Sequence, residues 1–356
     1  MSAVCFFDEK NAEFNTASAI ARAKGVSLTP IRRDPEHYGA AAELGIRVYG
    51  GMASFASNHF LGFRDQLLRS GLQNLLTGCY CDYFFKGLAL NRKVNSFTRA
   101  ESAGAFRHEY YRPLFPLESK AAKLAWERME QQIDPSLRAD QTPEALLQIE
   151  ARRLFPISYE ADSPQRLVPQ RVLPWYVPVV DNDVLDVYLD TPPDVKFNAA
   201  LFSEMVQIVC GPEISRIPDS NTGARVNASG PELLLHVYAR ALRNRFERKV
   251  TPRLATSGSW PNWEYYVHHS PVLRQLWTRN STAAPDLLRS VAGFDPFARP
   301  IESYTGRDTE LFVRLLTLKI WFETINSRQT SAAVESTVGD DVRSRKLVGD
   351  DVRSRF

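Results

Sequence analysis

Cysteine is scarce in this 356-residue chain: four residues, at positions 5, 79, 81 and 210, are too few and too scattered for a disulfide framework. Reduced thiols are expected. Cys79-Tyr-Cys81 is the one close pair, and without a second pair or suitably spaced histidines it does not read as a zinc site. Long apolar runs are missing too. Stretches such as Leu173 to Val180 are short and broken by prolines, well below the ~18 to 20 residues needed to cross a bilayer. The opening Met1-Ser-Ala-Val-Cys-Phe-Phe7-Asp8 carries no basic region ahead of its apolar residues, so it does not read as a secretory signal and a cytoplasmic chain is expected. Charge of one sign is absent in excess: 44 Lys+Arg against 41 Asp+Glu leave a net +3, which names neither nucleic acid nor a membrane as partner. No Gly-x-Ser-x-Gly elbow is present to support a hydrolase, and His268-His269, after Trp263-Glu-Tyr-Tyr, read as part of a packed aromatic loop.

What the chain does have is material for a core. Hydrophobic residues make up 44% and aromatics 11%, in the range of folded soluble proteins, and the length suits one large or two ordinary domains of about 150 residues. Ala3 to Phe7 is a short β-favouring run, followed by a polar turn and an alanine-rich helix over 12–24 that Gly25 closes. Ala17, Ile20 and Ala21 give that helix a narrow, small-residue face suited to packing on a sheet. Helices are expected over 38–49 and 53–69, broken at Gly50-Gly51 and stopped at Gly71. A second strand, 73–77, ends at Thr77-Gly78, with Asp82 just beyond. The two strands are expected to lie in one parallel sheet, and open α/β sheets place ligand groups at such strand ends.

From residue 90 the pattern turns helical, with candidates at 118–132, 143–153, 183–189, 199–209, 230–248, 283–291 and 307–325, separated by proline-rich connectors. The basic run Arg240 to Lys249 reads as a solvated helix face. Val338-Gly-Asp-Asp-Val-Arg-Ser-Arg345 returns ten residues later as Val348 to Arg355, and 327–356 is expected to be a disordered tail. The organisation is then 1–100, an α/β core; 101–326, a helix-rich remainder; and the tail.

Several of these segments, in order, resemble the synthetase domain of the asparagine synthase family. Cys5-Phe-Phe-Asp-Glu-Lys-Asn-Ala-Glu13 with the helix Thr16 to Gly25 is similar to the family's second strand and helix. Leu75-Leu-Thr-Gly-Cys-Tyr-Cys-Asp82-Tyr-Phe-Phe-Lys-Gly87 is similar to its acidic motif, and Leu173 to Leu189 and Ile217-Pro-Asp-Ser-Asn-Thr-Gly223 resemble later segments. The resemblance implies an α/β fold, an adenine-nucleotide α-hydrolase-like parallel sheet surrounded by many helices. It implies ATP and Mg²⁺ as cofactors in an amide-forming ligase reaction: a carboxylate, aspartate in the type enzyme or a peptide carboxylate in a divergent branch, is adenylated and then amidated. On that basis Asp82 is the catalytic residue and Mg²⁺ ligand, while Thr77, Gly78 and Phe7 approach the nucleotide.

The chain departs from the family at several points. It begins at the equivalent of the second strand and has no Ser-Gly-Gly-x-Asp-Ser string; Gly50-Gly51-Met-Ala-Ser is no substitute, lacking the Asp and following a helix. Cys79 and Tyr83 stand where acids are expected, and Lys196 lies just upstream of the helix in which the family places a lysine. The glutaminase half is missing, so a separate amine or ammonia donor protein is implied. The sequence therefore describes a ligase of this type that is truncated or impaired, or else an inactive binding or remnant protein that keeps the fold.

Overall fold

The computed structural model describes residues 1–103, 171–250, 261–279 and 295–343 apart from 89, 91 and 307, with scattered residues between 120 and 150 and at 286 and 289. It is a mixed α/β structure, mostly helical, with small sheets. The chain opens with β1 (Ala3–Phe7), α1 (Ala12–Ala23) and β2 (Leu28–Arg32), and β1 pairs with β2 in parallel. Asn11 caps α1, its Oδ1 accepting the Phe14 N–H at 3.1 Å.

Short helices α2 (His37–Ala40), α3 (Ala42–Tyr49) and α4 (Arg64–Arg69) follow, then β3 (Leu75–Leu76), α5 (Cys81–Lys86), β4 (Arg92–Val94) and β5 (Glu101–Ala103). Further along come β6 (Trp175–Tyr176), α6 (Asn182–Asp190), α7 (Ala200–Met205), α8 (Pro212–Ser215) and α9 (Gly230–Val250). The described chain closes with α10 (Trp263–His269), α11 (Pro271–Thr278) and the long α12 (Asp308–Arg343).

The expected strands are present but not in one sheet. β3 pairs in parallel with β6, β4 pairs antiparallel with β5, and β1 and β3 belong to separate two-stranded ladders. What joins β1 to β3 is packing: Val4 and Phe6 share an apolar cluster with Leu72 and Leu75, centred on buried Ile31, Leu67, Val172 and Leu173. β2 was not expected, and it carries a proline, Pro30, which strands tolerate only at an edge or a bulge. Its place explains the tolerance: the Arg33 N–H donates to the Phe7 carbonyl at 2.8 Å, so Ile31 and Arg33 face β1 and Pro30 presents its missing donor to the outer edge.

The expected helix over 53–69 is also interrupted. A single 3₁₀ turn at Phe55–Ser57 precedes a break at Asn58, whose buried side chain donates to the Ala41 carbonyl at 2.8 Å. The fit is close enough that a Cβ on Gly45 would collide with the Asn58 amide. Tertiary packing overrides helix periodicity here. At the other end α12 does not stop near 325 but runs to Arg343, into the stretch read as disordered. Ala, Glu, Arg and Gln favour helix, and an established helix propagates at one hydrogen bond per residue fixed. The expected helices at 118–132, 143–153 and 283–291, and the second repeat copy, lie largely or wholly outside the described residues.

The largest core joins distant parts of the chain. Tyr38, Ile46 and Phe55 from the N-terminal third pack with Tyr266, Leu273 and Trp277 of α10 and α11, and with Phe312, Leu316 and Ile320 of α12. His268 and His269 lie on α10 rather than in a loop: His268 Nε2 meets the Tyr304 carbonyl at 3.1 Å, and the His269 ring stacks on Tyr265 at 4.2 Å.

Candidate functional site

The turn after β3 is built by its own side chains. The Thr77 hydroxyl accepts the Cys79 N–H at 3.2 Å and donates to Cys79 Sγ at 3.0 Å, a side-chain turn that redirects the backbone at Gly78. Tyr80 then enters α5 with φ 68°, in the left-handed region, its ring buried between those of Tyr83 and Phe84. A bulky residue held there costs of order 1–3 kcal/mol, which the packing of its ring offsets.

Of the residues expected at the site, Thr77 lines an open cleft between β1 and β3, and Gly78 sits at the turn beside Cys81. Phe7 packs on Phe14 of α1 at 4.6 Å, while its neighbour Phe6 lines the cleft. Asp82 lies in the first turn of α5, with its side chain 55% exposed and Oδ1 held by Lys86 Nζ at 2.8 Å.

The donor set does not fit a divalent cation. Mg²⁺ takes oxygen ligands in near-octahedral order, usually from more than one carboxylate or from phosphate. Here one exposed carboxylate is already countered by an ammonium, its near neighbours are Cys79 and Tyr83, and no group of three His, Cys, Asp or Glu suited to a metal occurs among the described residues. Among the described residues the cleft between β1 and β3 is lined by no Asp, Glu, Lys or Arg side chain with which to hold a triphosphate.

Two buried polar groups stand out, and of their members the sequence reading singled out Lys196 alone, without its partner. Lys196 and Glu150 form an ion pair at 2.7 Å with both side chains fully buried. Burial raises the Glu150 carboxyl above its ordinary range and lowers the Lys196 ammonium. The ammonium lies 4.0 Å from the Tyr188 ring centre, and Tyr188 stacks at 4.5 Å on Phe84 of α5. A Cβ on Gly87, which ends α5, would come within 3.3 Å of Lys196, so α5 and the pair share one packing unit. The backbone carrying Lys196 is kinked, with Asn198 and Ala199 at φ 58° and 52°. The kink is tied to β5: the Asn198 N–H donates to Glu101 Oε2, and the Glu101 N–H donates to Asn198 Oδ1, both at 2.8 Å.

The second group stands at the carboxyl ends of β1 and β2. Arg33 grips buried Asp8 through Nε at 3.0 Å and a terminal nitrogen at 2.9 Å, and the Tyr266 hydroxyl donates to the same carboxylate at 2.8 Å. Tyr38 pairs with His59 Nδ1 at 2.9 Å; burial, aided by Arg33 and His37, pushes the His59 pKa down to about 3 and keeps the ring neutral. Half of a signal for this group was available, Asp8 directly after the expected strand; that Arg33 likewise follows a strand, one βαβ unit on, becomes visible only with β2 in place.

A scan against models of known protein families, a search of curated proteins and a search of solved structures each return no match to this chain.

Proposed function

We propose that this chain carries the scaffold of an asparagine-synthase-like, ATP-dependent amide-forming ligase in an impaired form, and that by itself it acts as a binding protein rather than a catalyst. The ordered segments that resemble the family support the scaffold, together with the parallel β1–α1–β2 unit and the Thr77-Gly78 turn that closes β3. The observation that carries the impairment is Asp82: a single carboxylate, half exposed and paired with Lys86, with no acid at 79 or 83. Adenylation drives pyrophosphate away from a reacting phosphate, and each lost group that stabilises such developing charge costs about 10²- to 10³-fold.

A full ligase in the same scaffold is the second reading, favoured by the buried lysine beside α5. Pyrophosphate release separates the two. Purified chain with ATP, Mg²⁺, aspartate and ammonia is expected to release none above background. Release that disappears in Asp82→Ala would establish the ligase and overturn the impaired reading.

A further inference from the structure

We propose that the cleft between β1 and β3 receives an extended, uncharged strand of a separate polypeptide, which links the two parallel ladders into one sheet. The inference does not depend on the chemistry at Asp82. It begins with where the backbone groups point. The Ala3 N–H donates to Ser27 and the Phe7 carbonyl accepts from Arg33, both at 2.8 Å, so residues 3, 5 and 7 turn their amides and carbonyls to β2. Backbone groups alternate sides along a strand, and those of Val4 and Phe6 therefore face away from β2. On β3 the N–H groups of Leu75 and Thr77 donate to Pro174 and Tyr176 at 2.9 and 3.0 Å, which turns Leu76 away from β6. Val4, Phe6 and Leu76 all line the same cleft, of about 1140 Å³.

Charge complementarity then defines the occupant. Each free edge alternates partial positive N–H with partial negative C=O, and the group that matches such a row is another extended backbone. Among the described residues the lining offers a charged segment no acidic or basic side chain to pair with, and Leu76, 66% exposed, offers apolar surface to a strand laid beside it. The volume exceeds the ~300–1,000 Å³ of ordinary small-ligand pockets. An uncovered edge is also a standing liability that folded chains cover or blunt, and no charge or proline at Val4, Phe6 or Leu76 blunts this one.

The test uses the whole chain and a soluble acetylated and amidated peptide of alternating valine and threonine, with amide exchange as the readout. The Val4, Phe6 and Leu76 amides are expected to exchange faster than those of Cys5, Leu75 and Thr77 in the free chain, and to slow at least about tenfold with bound peptide. Leu76→Pro removes an edge donor that the ladder does not use, so the chain should keep its circular dichroism and melting midpoint while peptide affinity falls about tenfold, the worth of one such bond. Val4→Pro serves as the same test on the other edge. Unchanged exchange at the three amides under excess peptide, or peptide binding that survives both proline variants, would overturn the proposal. Protection of the same amides in a dimer without peptide would also overturn it, by assigning the edge to a second copy of the chain.

Discussion

Replacing Lys196 by Met keeps most of the stem that fills the space beside Tyr188 but leaves the Glu150 carboxylate buried without its cation. The two side chains are fully buried and 2.7 Å apart, so water cannot take the ammonium's place. Breaking a buried pair from one side costs about 3–5 kcal/mol, a large part of the ~5–15 kcal/mol by which a folded chain exceeds its unfolded state. Removing both charges in Glu150→Leu/Lys196→Met should recover most of that loss, since the desolvation cost of both ions disappears with their attraction. The pH dependence has a definite sign. Burial raises the Glu150 pKa in the folded chain, so stability tied to its proton is full below the ordinary ~4.3 and is lost as pH rises through the folded value. Without Lys196, which opposes that rise, the folded value climbs further. The single variant's deficit should therefore be largest near neutral pH and narrow as pH falls toward about 5. Urea unfolding followed by circular dichroism, at both pH values and for all three chains, measures this. A single-variant loss below about 1 kcal/mol, or a double variant as unstable as the single, would refute the reasoning.

The parts of the fold that a sequence shows are those decided locally. α1 announces itself through its alanines and Gly25, and the structure adds the Asn11 cap; α6, expected at 183–189, is capped in the structure by Asp181, whose side chain accepts the Asp183 N–H at 3.1 Å. The turn at Thr77-Gly78 is equally local, a hydroxyl bonded two residues along its own backbone. β2 is not legible locally, because a proline weighs against a strand unless its missing donor faces an outer edge, and which edge is outer depends on pairing with β1. The 53–69 segment escaped because Asn58 is recruited by α3, which no periodicity records. For the candidate site the same division holds. Asp82 and Thr77 could be placed at a strand end from sequence, whereas the salt link from Lys86 that occupies Asp82 is one of many possible i,i+4 pairs. Lys196 and Glu150 are 46 residues apart, and tertiary packing brings them together, with Leu146 against Phe197 and Leu90 and with the kink at Asn198.

Gly50 and Gly51 offer a paired test of backbone strain against steric overlap. Both have positive φ, 62° and 76°, but a Cβ at Gly50 meets nothing within 4 Å while one at Gly51 comes within 2.7 Å of the Trp321 ring. Gly50→Ala should cost about 1 kcal/mol, and Gly51→Ala about 1–3 kcal/mol more as the indole is displaced; equal melting midpoints would count against the overlap. The last expectation concerns α12. Leu311, Phe312, Val313, Leu315, Leu316 and Ile320 are all buried, and Lys319 Nζ donates to the Trp277 and Arg279 carbonyls at 2.5 and 2.6 Å, holding the end of α11. At roughly 1.5–3 kcal/mol for each large buried side chain, ending the chain at residue 306 removes about as much free energy as a whole domain's net stability, so that chain should not fold. Ending it at 326 keeps every one of these residues, and the last buried residue described on the helix is Thr324. Residues 327 to 343 contain no Leu, Ile, Met or aromatic side chain with which to bury a comparable area, although they continue the helix. The 326 chain should therefore melt with the full-length protein. A marked drop in its midpoint would show that the last turns of α12 are held by packing rather than by propagation from the buried part of the helix.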